Sequence, residues 1–139
     1  MTQKEKQLLL QDLCARLPYG VKVDVNFYYA TKELSYDLLQ DFITDEKSIR
    51  PYLRPMSSMT EEEQKIFDDF CVIDEEAWKG NGVVGFINQS KIFEKAINFL
   101  NLHYFDYRGL IERGLALEAP EGMYKNKRRI EMINKGGKK

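Results

Sequence analysis

Between Val21 and Phe27 the chain alternates without a break. Val21, Val23, Val25 and Phe27 fall on one side, and Lys22, Asp24 and Asn26 on the other. A period of two describes a strand with one buried face and one wet face. The preceding stretch has a different period. Thr2-Gln3-Lys4-Glu5 fits a capping box, in which a threonine oxygen and a glutamate satisfy free backbone N–H groups. Leu10, Leu13, Cys14 and Leu17 then recur at helical spacing until Pro18-Tyr19-Gly20 stops the run. A helix that leads into a half-buried strand opens an ordering that reads as α+β and not as a parallel α/β fold.

The rest of the chain continues this mixture. Ala30-Thr31-Lys32-Glu33 reads as a connection, and Leu34, Tyr36 and Leu38 as a second alternating strand that extends to Ile43. The short spacing suits an antiparallel hairpin. After a polar turn at Thr44–Lys47, Ser48–Arg54 supplies a third strand, placed at an edge because Pro51 lacks an N–H. Thr60-Glu61-Glu62-Glu63 is a second capping box, followed by a helical stripe of Ile66, Phe67, Phe70 and Cys71. Residues 74–85 read as a loop around Trp78. Ile92, Phe93, Ala96, Ile97 and Leu100 mark a third helix. Past Asp106, Gly109, Gly114, Pro120 and Gly122 allow only short turns, with Phe105, Leu110, Ile111, Leu115 and Leu117 closing the core. The expected class is α+β: a small antiparallel sheet of two to three strands packed against about three helices. Residues 1–124 are expected to form a single globular domain, and 125–139 a basic, flexible C-terminal tail.

Charge supports that boundary. Lys125–Lys139 carries seven basic residues against Glu131, a net +6, whereas the preceding 124 residues carry 14 basic and 21 acidic side chains, a net −7. The 139 residues contain no apolar run of roughly the 18 that a membrane span needs. The polar start lacks the apolar core of a signal peptide, so a cytoplasmic location is expected. Cys14 and Cys71 lie 57 positions apart, and the chain has one histidine. Such a set is poor for zinc, so no metal or cofactor is expected and both cysteines read as buried free thiols.

Several motifs bear on chemistry. Gly80-Asn81-Gly82-Val83-Val84-Gly85 matches a dinucleotide-binding glycine pattern. The acidic residues before it are no buried parallel strand, so it reads as a loop. Arg50, Tyr52 and Arg54 share one face of an extended chain, and Ser58 follows closely. Two guanidinium forks around a ring suit a carboxylate-bearing partner, and equally suit a solvated edge strand. Ser58 lacks an activating base nearby in sequence. His103 falls at or just past a helix C-terminus, where the negative end of the dipole favours a protonated ring. Asp106 is placed to cap the turn Tyr107-Arg108-Gly109-Leu110. Arg108 stands between aromatic and acidic residues, a setting that recognises carboxylates. Lys125, Lys127, Arg128 and Arg129 can contact nucleic-acid phosphates, or simply form a solvated terminus.

Three stretches carry a resemblance. Arg50 through Glu63 (RPYLRPMSSMTEEE), His103 through Ile111 with Gly114 through Tyr124 (HYFDYRGLI and GLALEAPEGMY), and Leu13 through Val21 together span just under a third of the chain. They resemble the signature segments of a family of small uncharacterised proteins from gut anaerobic bacteria and their phages and mobile elements. That resemblance implies a phage- or mobile-element-linked cytoplasmic role and carries no activity or catalytic residue. The sequence therefore points first to a non-enzymatic binding module with a protein partner, through Arg50, Tyr52, Arg54, Ser58, His103, Asp106, Tyr107 and Arg108. The alternatives are a nucleic-acid-binding accessory protein acting through the tail, and a hydrolase or transferase using His103 with Asp106.

Overall fold

The computed structural model describes residues 1–70 and 82–124. In chain order these residues form helix α1 (Gln3–Arg16), a 3-10 turn at Leu17–Tyr19, strands β1 (Lys22–Val25) and β2 (Thr31–Glu33), helix α2 (Tyr36–Ile43) and strand β3 (Ile49–Leu53). A 3-10 turn at Met56–Ser58, helix α3 (Glu61–Phe70), helix α4 (Gly82–Leu102) and strand β4 (Leu117–Glu118) follow. The class is α+β, and the described residues hold four helices and a four-stranded mixed sheet in the order β2-β1-β3-β4. The tail at 125–139, the loop expected around Trp78, the Cys71 thiol and the first two residues of the glycine motif lie outside the described residues. Gly82 to Gly85 open α4 and are not loop.

Both capping boxes form. Thr2 and Glu5 exchange bonds at the start of α1, and Thr60 and Glu63 do so at the start of α3. Three expectations are corrected. The segment read as a second strand is α2. Ser35 caps it by accepting a hydrogen bond from the Leu38 N–H, and Leu39 and Phe42 face the core at helical spacing. The partner of β1 in the hairpin is instead Thr31–Glu33, which pairs antiparallel with Lys22–Asp24. Cys14 is exposed rather than buried, because α1 turns Leu9, Asp12, Leu13 and Arg16 inward.

The third correction is that β3 is central, not an edge. It pairs antiparallel with β1 and parallel with β4. The Asn26 N–H donates to the Ser48 carbonyl, so by the two-residue alternation of an antiparallel ladder Pro51 faces Val23 at a non-hydrogen-bonded position. Its missing N–H therefore costs nothing on the β1 side. Beyond the paired rungs, the Tyr124 hydroxyl accepts from the Lys22 N–H (2.9 Å) and donates to the Tyr52 carbonyl (2.7 Å). One side chain thus stands in for the next rung and ties residue 124 to the sheet.

The main core gathers Leu9, Leu13, Val21, Val23, Phe42, Ile49, Leu53, Tyr104 and Leu110 between α1, α2 and the sheet. A second cluster of Phe99, Leu100 and Phe105 joins α4 to Ile66 and Phe67 of α3. The segments 50–63 and 103–124 meet here. Arg54 N–H donates to the Tyr104 carbonyl and Asp106 N–H to the Arg54 carbonyl, and the Ala119 N–H bonds the Leu53 carbonyl. The Tyr104 hydroxyl reaches the Tyr19 carbonyl.

Candidate functional site

The charged residues singled out in the sequence divide into two groups. The first group is internal. Arg54, just past the end of β3, grips Glu63 with both terminal nitrogens (2.7 and 2.8 Å) and lies over the Phe105 ring, its Cζ 4.2 Å from the centroid. The Glu63 carboxylate also caps its own helix through the Thr60 N–H (3.0 Å) and stands 3.5 Å from His103 Nδ1. Burial pushes this carboxyl up, but Arg54, the Thr60 N–H and His103 more than reverse that and hold it below the ordinary glutamate range. His103 is fully buried. Both Asp106 oxygens accept backbone N–H groups, from Leu110 (2.8 Å) and Ile111 (2.9 Å), as the capping reading expects. Arg108 bonds Asp12 (2.8 Å), which also holds Arg16 Nε (2.9 Å), while Arg16 Nη2 donates to the Phe105 carbonyl (2.6 Å). The Arg108 guanidinium stacks on Tyr107, whose hydroxyl donates to Asn101 (2.9 Å). Tyr52 is buried, its carbonyl taken by Tyr124. These groups hold segments of the fold together.

A cleft of about 370 Å³ lies between the segments 54–60 and 118–124, with Arg54, Ser58, Glu118, Glu121 and Tyr124 on its walls. Its arginine is committed to Glu63, and its tyrosine is buried against the sheet. The Ser58 hydroxyl donates to the Pro55 carbonyl (2.7 Å), a local turn bond.

Arg50 belongs to the second group. It pairs with the buried Asp24 across the sheet (2.8 Å) and projects toward the β1–β2 hairpin tip. There the chain runs Phe27-Tyr28-Tyr29. All three are open to solvent, at 56%, 78% and 70% exposure. The backbone is held in the left-handed region at Asn26 (φ 56°), Phe27 (φ 62°) and Tyr29 (φ 55°). For residues with a Cβ this costs on the order of 1–2 kcal/mol each. Such strain persists where the surroundings over-determine it, and it concentrates at functional sites. The restraints are visible. Asn26 is fixed to Ser48 by its N–H (2.8 Å) and by its side-chain oxygen (2.9 Å). The Arg50 guanidinium sits under two rings, 4.3 Å from the Phe27 centroid and 5.3 Å from that of Tyr29. Burial works against charge on Arg50, but Asp24 and the Tyr29 hydroxyl outweigh it and raise its affinity for the proton. A groove of about 380 Å³ runs beside the tip, bordered by Phe27, Ile49, Arg50, Arg113 and Leu115.

Phe27, Tyr28 and Tyr29 are the functional candidates that the sequence reading passes over. Their signal is an aromatic run at the point where the β1 alternation breaks down. The internal acids Asp12 and Glu63 are also missed as partners, although Asp12 and Arg16 stand one helical turn apart. Among the described residues no group of three or more histidine, cysteine or acidic side chains is placed to hold a metal ion, and no helix is long and apolar enough to cross a membrane. Compared with protein-family models, with curated proteins and with solved structures, the chain shows no match in any of the three.

Proposed function

We propose that this chain is a small binding module that engages a protein partner through the hairpin tip. The observation that carries this reading is the exposed run Phe27-Tyr28-Tyr29, in which Phe27 and Tyr29 hold left-handed backbone and lie against Arg50 on the sheet. Aromatic and arginine side chains dominate interface hot spots, and rings that are already fixed lose little freedom on binding. The adjoining groove, lined by Phe27, Ile49 and Leu115 together with Arg50, Arg113 and Glu5, suits a segment bearing an apolar side chain beside polar groups. A cytoplasmic, phage- or mobile-element-linked setting is part of this reading and rests on the sequence alone.

The test replaces Tyr28 with the photo-crosslinking residue p-benzoylphenylalanine, and Tyr36, an exposed tyrosine on α2, as the control. A discrete crosslinked protein from source-cell extract at position 28 and not at 36 supports the reading. No product, or equal products at both positions, rejects it.

A second reading is favoured by the net +6 of residues 125–139. A tail that binds nucleic acid through phosphates gives an affinity that falls steeply with salt. Fluorescence anisotropy with labelled DNA and RNA, full chain against residues 1–124, checks it. Salt-insensitive binding, or binding retained without the tail, excludes it.

A further inference from the structure

Helix α4 is apolar over more of its circumference than the other described residues cover. Gly85, Gln89, Ala96, Phe99 and Leu100 are buried. Beside them, Phe86 is 69% exposed, Phe93 62%, Ile87 48% and Ile97 39%, although Phe93 and Ile97 read as core from their spacing. Val83, Phe86, Ser90, Phe93 and Ile97 follow one another at intervals of three, four, three and four. This is the spacing of a coiled-coil seam. At its centre, the exposed Ser90 donates its hydroxyl to the Phe86 carbonyl (2.9 Å). The polar group is satisfied within the helix, so it can leave water without losing its hydrogen bond.

We infer that this stripe is a self-association face, and that two copies of the chain pair antiparallel through α4. Area favours a second copy. A fully exposed aromatic ring offers ~150–250 Å². Taken with their exposures, the open apolar side chains of α4 amount to roughly 500 Å² per copy. Two copies then bury about 1,000 Å² in total, where a specific interface begins. Shape selects the direction. A parallel pair sets Ser90 against Ser90 and leaves a gap between crowded phenylalanines. An antiparallel pair seats a phenylalanine of the second copy over each Ser90. Lys91, Glu94 and Lys95, all exposed, remain outside the stripe as a wet rim.

The experiment is sedimentation equilibrium of the full chain from low micromolar to near-millimolar concentration, with Ser90→Lys and Phe93→Ser as variants. Ser90→Lys places a charge in the seam without removing an apolar contact from the single chain. The expected result is a mass that rises with concentration from 16.3 kDa toward twice that value. Each variant should weaken association at least about tenfold, with circular dichroism and thermal midpoint unchanged at concentrations where wild type is monomeric. A wild type that stays monomeric throughout overturns the inference, as does a dimer that survives both substitutions. A Phe93→Ser thermal midpoint that drops under monomeric conditions overturns it too, because the chain then covers the stripe itself.

Discussion

Arg50 and Arg54 stand near opposite ends of one strand and do opposite things. Each is paired with a buried acid, Asp24 and Glu63 respectively, and each lies against an aromatic ring. The difference is in the ring. Phe105 beneath Arg54 is buried, so that stack seals the junction of β3, α3 and the end of α4. Phe27 and Tyr29 over Arg50 are open to water, so that stack props aromatic surface outward. Salt-bridge geometry alone does not separate a structural arginine from one that supports a binding surface. What covers the cation does.

The largest expected effect comes from breaking the closed end. Glu63→Ala leaves the Arg54 charge buried without its acid, a change that costs about 3–5 kcal/mol. Urea denaturation followed by circular dichroism should show the midpoint collapse, and a loss under ~1 kcal/mol would show that water replaces the acid.

The same pair should respond to acid. Glu63 titrates below its ordinary value of 4.5 in the folded chain. Its contribution is therefore complete above the unfolded value and is lost as pH falls through the folded one. Stability measured from neutral pH downward should begin to fall near pH 4.5. Glu63→Gln should flatten that decline, and an unchanged slope would assign it to other carboxylates.

Asp106→Ala comes next. Two backbone N–H groups lose their acceptor in a mostly buried turn, a loss of about 2–3 kcal/mol. Asp106→Asn should recover part of it, because one amide oxygen still caps one N–H. Equal losses in the two variants would point to charge as the dominant factor.

The smallest stability effect is expected at the open end. Tyr28→Ala should alter unfolding free energy by under about 0.5 kcal/mol, as exposed positions do. It should nonetheless weaken pull-down of the partner protein identified by crosslinking at position 28. A large stability loss would instead make Tyr28 part of the fold.

Some of this was legible before any coordinates. Thr2 with Glu5 and Thr60 with Glu63 announced two helix starts, because a capping box is satisfied within four residues. The Asp106 cap was legible for the same reason. By contrast, Leu34, Tyr36 and Leu38 alternate like a strand, while Leu39 and Phe42 carry the helical period. Ser35 is the tie-breaker, since its hydroxyl caps a helix and offers a strand nothing. Pro51 suggested an edge because the rule counts a missing donor without knowing which way that donor would point.

What the sequence by itself determined is local: the α+β class, the caps and the charge division at residue 125. These depend on neighbours within a few positions. The β1 alternation, by contrast, misplaced Asp24, which is buried, and Phe27, which is exposed. Only the tertiary structure decided which arginine is closed and which is open. That outcome depends on Phe105 arriving 51 residues after Arg54, and on the left-handed turn that folds Phe27 and Tyr29 back over Arg50. Contacts between distant segments leave no periodic trace in the sequence, because either partner alone reads as an ordinary charge or an ordinary ring.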